Sequence, residues 1–176
     1  TATDYVLKWT EVVVGTAHTA NTTYQVFCNG VEYGQPISGV LTATYSHADF
    51  EEGVMYEFYV QALNPAYLES NQSNSVRIYK LKAINKLNLL NDGTLGYEIA
   101  STDVDFVEHI AVSVDGAAAT ENTTGKITVT TEGEYSLQVV GMTVDGEDQK
   151  TYYISSNKTK WTVSKMENEK PADETV

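Results

Sequence analysis

The sequence predicts an all-β chain of two tandem β-sandwiches, and three observations carry that expectation. Short segments alternate apolar and polar residues with a period of two, the pattern of a half-buried strand. Turn signals separate those segments at roughly ten-residue spacing, as in a sandwich or barrel. No stretch holds a helical period.

The clearest strand covers residues 56–62, where Tyr56, Phe58, Val60 and Ala62 share one face. Others are expected at 5–10, 23–28, 40–45 and 75–79. Beyond residue 80 the pattern predicts strands at 83–90, 95–100, 107–114, 126–130, 134–142, 151–154 and 160–163. Asn29-Gly30, Asp115-Gly116 and Asp145-Gly146 each lie between alternating runs. Such dipeptides accept the positive φ values of a two-residue hairpin turn. Asn91-Asp92-Gly93 reads as another tight turn.

The chain has 176 residues, which suits one large domain or two small ones. A sandwich needs about 100 residues, so two fit only if one is trimmed. The division falls near residues 79–82, giving units 1–80 and 81–164 and an acidic tail, 165–176, expected to be disordered. The junction contains neither Gly nor Pro, which predicts a restricted angle between the units.

Residues 50–62 resemble the fibronectin type III family on the run into its sixth strand. The family pattern is a Leu, then Pro-Gly-Thr, then Tyr-x-Phe-x-Val-x-Ala. Here Phe50, Glu52, Gly53 and Val54 stand before Tyr56, Phe58, Val60 and Ala62 at the same spacing. Leu7-Lys8-Trp9 is similar to the family's Leu-x-Trp, and Tyr24-Gln25-Val26 to its Tyr-x-Val. The resemblance covers residues 5–79. It implies immunoglobulin-like sandwich packing, with Trp9 plugging the space between sheets and Tyr56 tying down a loop through its hydroxyl. One departure stands out: only Thr1 to Asp4 precede the segment that matches the family's second strand. A missing first strand leaves an unpaired sheet edge. Trimming accounts for it, or a partner chain supplies the strand by β-augmentation.

In the second unit, Gly133-Glu134-Tyr135-Ser136-Leu137-Gln138-Val139 followed by Asp145-Gly146 resembles a strand of bacterial immunoglobulin-like domains. Gly133 and Tyr135 stand near the roles of Gly53 and Tyr56, and Tyr97 near that of Trp9. The expected fold class is therefore two tandem immunoglobulin-like, fibronectin type III-like β-sandwiches.

Net charge is −13, spread along the chain without a Lys/Arg cluster. That disfavours nucleic acid and anionic membrane surfaces as partners. No apolar run approaches the ~18 residues of a membrane span. The single cysteine, Cys28, excludes an internal disulfide, and its strand position makes it an inert thiol. The chain begins with Thr, consistent with a processed product or an excised fragment.

No catalytic motif is present, and His18, His47 and His109 lie far apart in sequence. No cofactor is expected. Calcium is the one weighed, because Asp103, Asp105, Asp145, Glu147 and Asp148 cluster in loops, although no EF-hand spacing exists. Tyr33, Tyr59, Tyr67, Tyr153 and Trp161 are aromatics not claimed by a core face. Loops at sandwich ends carry recognition, so Tyr67, Asn64 and Tyr33 are the candidate ligand contacts. Sequons stand at Asn21, Asn71, Asn122 and Asn157.

These features predict a non-catalytic structural or adhesion module, located extracellularly, on a cell surface or on a virion. Its partners would be other protein subunits or neighbouring domains. The alternative is a carbohydrate-binding accessory module of a secreted polysaccharide-degrading enzyme, with glycans as ligands.

Overall fold

A computed structural model of the chain describes residues 4–12, 21–66, 69–147 and 149–164. The expected disordered tail, Tyr67 and His18 lie outside the described residues. The fold is all-β, built from immunoglobulin-like sandwiches.

The first sandwich uses β1 (Asp4–Lys8), β2 (Thr23–Cys28), β3 (Val31–Glu32), β4 (Thr42–Ser46), β5 (Met55–Leu63) and β6 (Val76–Lys80). β1 pairs with β4 in one layer, and the other runs β3-β2-β5-β6. Alternation along β2 and β5 points Tyr24, Val26, Phe58, Val60 and Ala62 into one apolar cluster with Phe50. Trp9 joins that cluster, its ring 5.7 Å from Tyr24. Cys28 is buried there, and burial pushes its thiol pKa up. The Tyr56 hydroxyl accepts a bond from the Glu51 N–H at 3.0 Å, the loop tie expected of it.

The second sandwich pairs β7 (Leu87–Leu89), β8 (Thr94–Tyr97) and β11 (Lys126–Thr128) in the order β11-β8-β7. Its facing layer holds β9 (Val107–Val114), β10 (Thr120–Asn122), β12 (Gly133–Gly141) and β15 (Thr159–Val163), ordered β10-β9-β12-β15. Leu95, Ile110, Leu137 and Val139 are fully buried between them. The Tyr135 hydroxyl donates to the Thr131 carbonyl at 3.0 Å, the counterpart of Tyr56. Tyr97 donates to Asn122 Oδ1 at 2.7 Å and accepts from Gly125 N–H, so this sequon asparagine is built into the fold.

Asn29-Gly30 and Asp115-Gly116 both adopt positive φ, as their composition predicts. Asp145-Gly146 does not. Its loop closes instead through Gly146 N–H to the Gln149 carbonyl, giving a wider connection.

That wider loop joins two strands with an unexpected destination. β13 (Thr143–Asp145) and β14 (Lys150–Ile154) form a hairpin between β12 and β15. β14 leaves the second sandwich and pairs in parallel with β6. The first sandwich's larger layer thereby becomes a six-stranded sheet, β13-β14-β6-β5-β2-β3.

Candidate functional site

Two features stand out along one flank of the first sandwich: the strand it shares with the second, and an open seam beside that strand. The shared strand forms part of the seam's floor.

In the parallel register, Tyr152, Tyr153 and Ile154 lie beside Ile78, Tyr79 and Lys80. Alternation sends Ile154 into the first core, where it is buried. Tyr153 turns the other way, stacked on Phe106 with centroids 4.0 Å apart and edge-on to Tyr79 at 5.7 Å. Both Phe106 and Tyr153 pack against the second core. Burial raises the pKa of Tyr153 and, together with the neighbouring Asp103, that of Tyr79.

Polar side chains fasten the same region. Asp103 is fully buried. Its carboxylate accepts from Tyr79 O–H at 3.0 Å, Thr102 O–H at 2.8 Å and Lys82 N–H at 2.7 Å. Glu52 accepts from Ala83 N–H at 3.0 Å and Asn157 N–H at 2.6 Å. Lys80 buries its ammonium against the carbonyls of His47 and Phe50. His47 Nε2 lies 2.6 Å from the Ser155 carbonyl. Gly141 makes the crossing possible, since a Cβ there would collide with the Tyr153 carbonyl and lie 2.8 Å from Leu81 Cδ1.

Two of the acids weighed for calcium already have partners. Asp103 is a buried hydrogen-bond acceptor rather than a loop ligand, and Asp145 pairs with Lys150 at 3.0 Å. Asp148 lies outside the described residues. Among the described residues, no group of three or more His, Cys, Asp or Glu side chains could hold a metal.

The seam runs along β1. One edge of β1 pairs with β4, and among the described residues no strand pairs with the other. Trp9 N–H bonds the Leu41 carbonyl. In this register Tyr5, Leu7 and Trp9 therefore aim their backbone groups at β4, while Asp4, Val6 and Lys8 aim theirs outward. Beneath that edge lies a groove of about 380 Å³, its sides and floor including Tyr5, Leu7, Phe58, Ile78, Tyr152 and Ile154. A second groove of about 640 Å³ continues it past Trp9 towards Ser70 and Asn74. Val6 and Tyr152 flank the first groove at 49% and 39% exposure. The Trp9 indole nitrogen is buried and has no hydrogen-bond partner among the described residues.

Of the candidate contact residues, Asn64 and Tyr33 sit in separate surroundings, and Tyr67 lies outside the described residues. Asn64 caps its own loop, accepting from Ala66 N–H at 2.9 Å and donating to Thr22 Oγ1 at 3.0 Å. Tyr33 packs on Tyr45 and Phe58, with centroids 5.4 and 5.7 Å away. Phe58 and Asn64 are six residues apart along the chain, roughly 20 Å at strand rise. Of the aromatics thought free of a core, Tyr153 and Trp161 pack against the second core. Tyr59 stacks on Phe27 at 4.9 Å across neighbouring strands. The sequence predicts a strand at 5–10, and β1 covers Asp4–Lys8. Its groove was missed because Tyr152 and Ile154 are remote in sequence.

No protein-family model matches the chain, and no curated protein matches it. Among solved structures, the FN1–FN3 domains of chicken CNTN1 align with it at 13% identity and a TM-score of 0.32. The alignment covers 92% of this chain and 60% of that one, so the chain spans about 60% of the fragment's length. Among the described residues, no helix is long and apolar enough to cross a membrane.

Proposed function

We propose that the chain is a non-catalytic structural and adhesion module making protein–protein contacts within a larger assembly. The assembly would be extracellular, on a bacterial surface or in a phage capsid or tail. The observation that carries this reading is the β6–β14 pairing. Units 1–80 and 81–164 are joined by a ladder of backbone hydrogen bonds and two cores meeting on one strand, not by a linker alone. Such a junction holds both ends in a fixed relation, which a spacer under load requires. The side chains best suited to chemistry, Asp103, Glu52, His47 and Lys80, are engaged with backbone groups at the junction.

One observation favours the second reading, a carbohydrate-binding accessory module. Phe27 and Tyr59 form a near-parallel, half-buried pair on the outer face of the larger sheet. Small-angle scattering combined with a glycan array separates the readings. The first predicts one rigid particle and a silent array. Reproducible glycan binding lost in Tyr59→Ala would overturn it in favour of the second.

A further inference from the structure

We infer that the β1 seam is a docking slot for a single extended segment of another polypeptide, which adds as an antiparallel strand beside β1. The inference deepens the protein-contact reading above and rests on it.

The slot presents two kinds of recognition at once. The outward N–H and C=O groups of Asp4, Val6 and Lys8 call for a peptide backbone, which pairs with them at strand spacing. Below them, the apolar floor formed by Phe58, Ile78 and Ile154 receives every second side chain. No small molecule offers that alternation, and an extended peptide does.

The floor also decides against a second copy of this chain. Paired sheets lie about 10 Å apart. A second copy's β1 would reach this edge only with its own larger sheet beneath it. The space beneath the slot is filled by β6 and β14, as the groove lining shows. A lone strand fits where a second sandwich does not.

Charge sets the register of that antiparallel segment. Asp4 and Lys8 stand at opposite ends of the exposed edge, with Val6 between them. An antiparallel segment therefore carries an acid opposite Lys8 and a base opposite Asp4. Opposite Leu7 and Tyr5 it carries apolar residues facing the floor. Opposite Trp9 a hydroxyl residue supplies an acceptor for the indole N–H, which has none among the described residues. Read from its N-terminus, the fitting pattern is hydroxyl, acid, apolar, polar, apolar, base.

The test titrates the full chain with the peptide Thr-Glu-Ile-Thr-Val-Lys, end-capped, while recording amide, indole and methyl NMR signals. The expected result is saturable shifts at Val6, Lys8, the Trp9 indole N–H and Ile154, with the protein remaining monomeric by sedimentation. The same peptide N-methylated at its central Thr should bind about tenfold more weakly or worse, since it loses a backbone bond and clashes with the edge. Exchanging its Glu and Lys should also weaken binding. Absence of shifts at millimolar peptide, equal binding of the N-methylated peptide, or dimerisation through β1 would each overturn the slot. None of those outcomes bears on the rigid-module reading, which scattering and the glycan array test separately.

Discussion

Tyr153 and Ile154 are consecutive residues on one strand, yet they pack into different hydrophobic cores. Ile154 is 6% exposed in the first core, while Tyr153 stacks on Phe106 beside the second. The two sandwiches are therefore coupled through β14 and not only through the chain that joins them.

Ile154→Ala should cost about 2–4 kcal/mol, the usual range for truncating a buried aliphatic side chain. Its damage should appear mainly in the first sandwich, although the residue belongs to the second by sequence. Hydrogen exchange checks this, with faster exchange expected in β5 and β6 than in β9 and β12. Uniform acceleration across both halves would contradict the assignment of Ile154 to the first core.

Gly141→Val should displace β14. The new side chain would meet the Tyr153 carbonyl and Leu81, where only hydrogen now fits. Overpacking of this kind typically costs about 1–3 kcal/mol or more. Scattering should then show a broadened distribution of shapes while circular dichroism stays β-rich. An unchanged particle would mean that the close crossing does not require glycine.

Alkaline pH should loosen the first sandwich. Burial, with smaller contributions from Tyr33, Cys28 and Asp49, raises the Tyr45 pKa from 10.0 to about 12. The unfolded chain thus releases this proton at lower pH than the folded one. Stability from this group is fully present below pH 10 and lost as pH rises towards 12. Tyr45→Phe should flatten that decline in urea melts recorded between pH 9 and 12. An equally steep decline in the variant would locate the sensitivity elsewhere.

Calcium and chelator should leave the melting temperature unchanged, because Asp103 already spends its carboxylate on Tyr79, Thr102 and Lys82. A calcium-dependent rise of several degrees would require a site that these contacts do not provide.

Much of this architecture was legible locally. β5 reads from its alternation, and Tyr56 and Tyr135 announce their loop ties through position and a free hydroxyl. β3, β10 and β13 were not foreseen, since two or three mostly polar residues carry no period. The fate of β14 was invisible for a different reason. Residues 151–154 predict a strand, but parallel pairing with β6 is decided by tertiary contacts about 70 residues away in sequence. One signal was present: Tyr152-Tyr153-Ile154 is continuously apolar, as strands covered on both faces tend to be. The burial of Asp103 was not legible, because proximity to other acids in sequence says nothing about burial.

The most direct test of the shared strand uses the two tryptophans. Trp9 packs with the first core and Trp161 with the second, so single-tryptophan variants report each half separately. Urea unfolding followed by fluorescence should give coincident midpoints and equal slopes for Trp9 and Trp161. Combining each reporter with Ile154→Ala should lower the Trp9 midpoint first and split the transition. Two separate transitions in the parent protein, indifferent to Ile154, would contradict the coupling.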